Sequence, residues 1–97
     1  MIRHITLIHF KDDATQEQKE AVLAAFRKLP AHIPGIVDFH TGLDLGLLEG
    51  NAGIAVQATF ANTDDFLAYS THQAHESVIF PVCGHIMAGY STAQFEG

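Results

Sequence analysis

Thiols are almost missing from this chain: Cys83 is its only cysteine. One cysteine can form no intramolecular disulfide and no cysteine-based zinc site, so a reducing, cytoplasmic setting is the expectation. Cys83 itself reads as a small buried residue. Basic residues are scarce as well, five against eleven acidic ones, and the resulting charge of -6 repels a phosphate backbone. Nucleic acid is thereby excluded as a partner. No window approaches the roughly 18 apolar residues of a membrane span, so no membrane-spanning helix and no membrane partner are expected. The opening Met1-Ile2-Arg3-His4-Ile5 lacks the basic stretch, apolar run and cleavage site of an export signal. Charged residues of both signs make up 16%, below a typical value of about 25%, while hydrophobic residues reach 47%. Part of the surface is therefore expected to face something other than water. At 97 residues the chain is expected to be a single domain, 1–97, whose thin core favours self-association into a homo-oligomer.

What the chain does have is histidine, seven in all, and protonating every one would carry the formal charge from -6 to +1. Assembly or solubility should then change near pH 6, where imidazoles titrate. Two of the seven lie close together in the densest stretch of chemistry-bearing side chains: Tyr69-Ser70-Thr71-His72-Gln73-Ala74-His75-Glu76 packs a phenol, two imidazoles and a carboxylate into eight residues. On an unbroken helix Tyr69, His72 and His75 would stack along one face; a break near Thr71 would let a Tyr and a His converge from two sides.

Hydropathy patterning supplies the frame. Ile2 to Phe10 alternates with period two, His4, Thr6, Ile8 and Phe10 on one face and Arg3, Ile5, Leu7 and His9 on the other, and both faces are apolar enough for a central strand. Thr15 with Gln18 has capping-box spacing, and Val22, Leu23, Phe26 and Leu29 recur helically until Pro30 ends the run. Ile33-Pro34-Gly35 is a turn. A second strand over 36–44 sets Val37, Phe39, Thr41 and Leu43 against Asp38, His40 and Gly42, a pattern suited to an edge. A glycine-bounded loop leads to a central third strand over 52–61, with Ile54, Val56, Ala58 and Phe60 on one face. Asn62 caps a helix whose inward face is Phe66, Leu67 and Tyr69 or Ser70. A further helical piece covers 76–85, made irregular by Pro81, and residues 87–95 form a last edge strand. Strand, helix, strand, strand, helix, strand is the α+β ferredoxin-like βαββαβ order, an antiparallel four-stranded sheet with helices on one face. The uncovered face, carrying Ile5, Leu7, His9, Asp38, His40, Ala55 and Gln57, is expected to pair about a two-fold axis, placing His9 and His40 in the interface.

The strand Ile2-Arg3-His4 ending in Phe10-Lys11, the Thr15 helix, the Ile33-Pro34-Gly35 turn and the Tyr69 to His75 segment together resemble the stress-responsive dimeric α/β barrel (Dabb) family across essentially the whole chain. That resemblance implies ferredoxin-like subunits paired through their sheets into a dimeric α/β barrel. It also implies, by analogy with polyketide-cyclising members, that Tyr69 and His75 match a proton-handling pair and that His4 and His72 match two further histidines. Val22, Leu23, Phe26, Val56 and Val78 then stand at pocket-wall positions. Phe26 replaces a tyrosine, Gln73 a proline, and Val22 and Leu23 larger phenylalanines, so the ligand should differ.

The residues alone permit such chemistry. A histidine near its ordinary pKa of about 6.5 can take a proton at neutral pH, and a neighbouring phenol can stabilise an enolate, for roughly 10² to 10⁴ in rate. Cyclisation, isomerisation or related lyase chemistry of a polyketide-like or 1,3-dicarbonyl compound fits that limit without any cofactor. No nucleophile triad or phosphate loop is present for hydrolysis. The alternative is a non-catalytic stress-related or ligand-binding homodimer in which Tyr69 and His75 satisfy backbone groups, with His72 bonding the backbone at the corner and Glu76 facing solvent. No metal is expected at His72, His75 and Glu76, because adjacent helical side chains diverge by about 100 degrees. A cation among backbone carbonyls of residues 30–36, as the resemblance allows, leaves no side-chain signature. Iron ligation by His32 or His85 is the other cofactor option, and a lone histidine is more often structural.

Overall fold

A computed structural model describes residues 1–97. Four strands, β1 (Ile2–Phe10), β2 (Ile36–Leu43), β3 (Ile54–Phe60) and β4 (Met87–Glu96), form one sheet in the order β2-β3-β1-β4, and every neighbouring pair is antiparallel. The chain thus has the ferredoxin-like fold, with β2 and β4 at the edges as their glycines and polar positions suggest. Helices α1 (Gln16–Arg27), α2 (Leu29–His32), α3 (Thr63–Ser70) and α4 (Phe80–Cys83) complete it, together with a π-helical turn, His75–Ile79.

Local chemistry explains most of these boundaries. The Thr15 side chain accepts from the Gln18 backbone N–H while the Gln18 side chain accepts from the Thr15 N–H, a closed capping box that starts α1. Asn62 accepts from the Asp65 N–H and starts α3, with Asp64 and Asp65 at the positive end of its dipole. Pro30 does not end the helical path. α1 stops at Lys28 and the short α2 begins there, with Pro30 in its first turn, where a missing N–H costs nothing.

The core lies between the sheet and the helices. Ile54, Val56, Ala58 and Phe60 of β3 are sealed against Val22, Ala25, Phe26 and Leu29, while Ile8 and His4 are the buried residues of β1. Two sequence expectations fail here. A bulge between Ile36 and Asp38 turns Val37 out to solvent, and Ile36 packs on the core in its place. Leu67 also points outward, leaving Phe66 and Tyr69 as the inward face of α3.

Pro81 makes the last helical piece irregular. A proline cannot donate to the carbonyl four residues back and its ring crowds that carbonyl, so the backbone ahead of Pro81 widens. The Phe80 N–H donates to the His75 carbonyl, five residues back, and the path narrows to α4 only afterwards.

Candidate functional site

His4, Tyr69 and His75 come from three elements and meet beside one cavity. β1 carries His4 on its helix-facing side, the last turn of α3 carries Tyr69, and the π-helical turn opens with His75. The Tyr69 and His75 rings stand edge to face with centroids 4.6 Å apart, and His4 lies 5.7 Å from Tyr69 and 4.9 Å from Phe66. All three line a cavity of about 530 Å³ bounded by β1, β4 and the helical layer. Its volume falls in the range of small-molecule pockets. Apolar walls come from Ile8, Phe26, Phe66, Ile79, Phe80 and Met87.

Helix termination builds the pair. Thr71 closes α3, and its hydroxyl donates to the Leu67 carbonyl. His72 then folds back so that its Nδ1 accepts from the Ala74 N–H at 3.0 Å. That contact caps the corner, and His72, expected from the resemblance to join the site, does not line the cavity. Next, His75 Nδ1 lies 3.3 Å from the His72 carbonyl, a contact that requires the ring to donate from Nδ1. Its Nε2 is left with a free lone pair.

Burial sets the protonation states. Desolvation, then repulsion from His75, pushes His4 below the ordinary imidazole value. For His75 desolvation again dominates and lowers the value, opposed by the bond to the His72 carbonyl and reinforced by repulsion from the His72 ring. Both rings are therefore neutral at pH 7. The Tyr69 phenol is pushed up to about 12 by burial, so it keeps its proton. No buried polar side-chain atom lacks a partner, and the Tyr69 hydroxyl, which bonds nothing within the chain, opens onto the cavity. A neutral imidazole with one free lone pair stands beside a phenol that can only donate. Such a pair can remove a proton from carbon and stabilise the oxygen that becomes negative.

Of the wall positions expected from sequence, only Phe26 lines this cavity. Val22 and Val56 are 0% and 1% exposed and belong to the sealed core, while Leu23 and Val78 pack half-buried against it. The walls instead include Tyr90, Thr92 and Gln94 of β4, which sequence reasoning did not single out. Their period-two alternation places them on one face; the missing piece was the register that sets Gln94 opposite His4, Thr92 opposite Thr6 and Tyr90 opposite Ile8. No three metal-ligating side chains converge anywhere in the chain, so His72, His75 and Glu76 do not form a ligand group.

Sheet order, one-sided helices and a buried Tyr–His pair on a cavity define an α+β ferredoxin-like protein with room for a small molecule. More specifically, the chain belongs to the stress responsive A/B barrel domain (Dabb) family, whose model matches residues 2–95. Olivetolic acid cyclase of Cannabis sativa is 29% identical over 76 residues, covering 76% of this chain and 75% of that protein. A dimeric ferredoxin-like protein of unknown function from Thermobifida fusca is 38% identical, with a TM-score of 0.86 over 99% of this chain and 90% of that one. A hydroxynitrile lyase from Passiflora edulis shares the fold, with a TM-score of 0.76 at 22% identity over 97% of this chain and 90% of that one.

Proposed function

We propose that this protein, a single Dabb domain over 1–97, is a cofactor-independent enzyme of the cyclase, lyase or isomerase type acting on a small hydrophobic or polyketide-like carbonyl compound. His75 Nε2 takes a proton from a carbon next to a carbonyl. Tyr69 donates a hydrogen bond to the developing enolate oxygen, and His4 helps to orient the ligand. The observation that carries this reading is the state of His75: its Nδ1–H is engaged by the His72 carbonyl, which leaves Nε2 as a base beside a protonated phenol on an apolar cavity. The cyclase relative supports the same class of chemistry, and its identity of 29% leaves the substrate open.

A homodimer paired through the outer sheet faces completes the proposal. Ile5 and Gln57 are half-buried there and Leu7 is 39% exposed. Leu45 and Leu47, 81% and 78% exposed, join Leu7 and Ala55 around a concavity of about 350 Å³ on that face. Such a continuous apolar surface calls for a partner, and the Thermobifida fusca relative is dimeric. His9 lies exposed on this face, and His40 stands 3.0 Å from Asp38.

Incubating the purified protein with linear poly-β-keto thioesters of graded chain length, and following loss of the open chain by mass spectrometry, tests the enzyme reading. His75→Ala and Tyr69→Phe should each lower turnover at least 10²-fold with folding retained. The competing reading is a non-catalytic ligand-binding homodimer. It is favoured by the two bonds that His72 and His75 give the corner, and it gains if ligands bind without being turned over and His75→Ala changes stability alone.

A further inference from the structure

His4 is flanked on both ring nitrogens. Its Nδ1 lies 3.0 Å from Gln94 Nε2, and its Nε2 lies 3.0 Å from Thr6 Oγ1. An amide nitrogen can only donate, so Nδ1 must accept, and in a neutral ring the proton then sits on Nε2 and is donated to Thr6 Oγ1. A threonine hydroxyl that accepts in this way still has its own hydrogen to give. Thr6 lines the cavity and makes no other side-chain bond, not even to Thr92 directly across the strands.

We propose that Gln94, His4 and Thr6 form a one-way donor chain whose last member, the Thr6 hydroxyl, donates a hydrogen bond to a carbonyl oxygen of the cavity's ligand. Gln94 is a positioning residue: it fixes the His4 tautomer and through it the direction in which Thr6 donates. His4 is then neither base nor acid, since both nitrogens are occupied within the chain. Each link polarises the next, so the terminal hydroxyl is a better donor than an isolated one. With the Tyr69 phenol the cavity offers two donors on different elements, which suits a ligand with two acceptor oxygens, a dicarbonyl or a keto ester. This deepens the proposed function by assigning a second oxygen to be held, and it rests on the same cavity being the ligand site.

The tautomer can be read without any substrate. Long-range ¹H–¹⁵N correlation spectra of the labelled protein should show His4 with its proton on Nε2. In Gln94→Glu the carboxylate accepts instead, so the proton should move to Nδ1 and the ring should titrate at higher pH. Wild-type His4 protonated on Nδ1 would overturn the chain. For the ligand end, acetophenone and ethylbenzene serve as ketone and hydrocarbon probes of matched shape. Wild type and Thr6→Ser should bind acetophenone at least threefold more tightly than ethylbenzene, and Thr6→Val should erase the difference. Equal binding of the two probes by wild type, binding of neither, or a preference unchanged in Thr6→Val would refute the assignment. Since neither readout needs turnover, an inert wild-type protein would sink the enzyme reading and leave this one standing.

Discussion

Raising the pH should strip stability from this protein through one phenol. Tyr69 is 3% exposed, and burial holds its hydroxyl up to about 12 against 10.0 for a phenol in water. A folded value above the unfolded one means that the contribution is complete below pH 10 and drains away as the pH climbs from 10 through about 12. Two units at about 1.4 kcal/mol each amount to roughly 3 kcal/mol. That is a large fraction of the ~5–15 kcal/mol by which domains are stable. The chain is well suited to the measurement, because it has no tryptophan and two tyrosines, Tyr69 and Tyr90. Subtracting the near-ultraviolet phenolate titration of Tyr69→Phe from that of wild type isolates Tyr69. Urea unfolding of both proteins at about pH 8 and about pH 11.5 then gives the energy. Near neutrality the substitution should cost at most about 1 kcal/mol, since the hydroxyl has no partner within the chain to orphan. At about pH 11.5, just short of the folded value, wild type should lose roughly 2 kcal/mol more than the variant. Parallel losses would mean that burial does not hold the phenol, and the argument for Tyr69 as an obligate donor would fall with it.

Acid should act through the imidazoles with the opposite sign. His4 and His75 are depressed in the folded state, so their contribution is complete above about 6.5 and is lost as the pH falls through their lowered values; a His4→Asn, His75→Asn double variant should show a shallower decline in urea midpoint between about pH 7 and about pH 5. Gly53→Ala would drive a Cβ into the ring of Phe10, and thermal unfolding should register a loss of about 1 to 3 kcal/mol. Leu7→Glu places a charge on the outer sheet face, and if that face forms the proposed homodimer, sedimentation velocity should show a dimer for wild type and monomers for the variant.

The strands were legible wherever one period governed many residues. Ile54 to Phe60 alternates without interruption, and all four inward side chains are buried to 1% exposure or less. Capping was legible because Thr15 with Gln18 and Asn62 with Asp65 act within four residues. What escaped depends on longer range. The bulge at Val37 arises from pairing with β3, and the outward turn of Leu67 from where α3 meets the sheet. The candidate site divided in the same way. Tyr69 and His75 stand out by residue type and spacing, whereas His4 and Phe26 were singled out for the site through the family resemblance. Gln94 and Thr6 become informative only once β1 and β4 are in register, ninety residues apart in the case of His4 and Gln94. Val22 and Val56 fail as wall residues because the cavity sits toward the β1–β4 half of the sheet, while both side chains are packed away from it in the sealed core.

The π-helical turn after the corner has a mechanical consequence. A turn that closes over five residues carries one residue more than an α-helical path, and each residue of an α-helix advances the side-chain direction by about 100 degrees. His75–Ile79 therefore works as a phase shifter. At its first residue His75 faces the cavity, and downstream Cys83, 3% exposed, packs in the core. Deleting Ser77 would restore an ordinary winding and swing everything after it out of phase, unseating either the imidazole or the core. With the extra residue in place one continuous helical path presents His75 to the cavity and, eight residues on, Cys83 to the core.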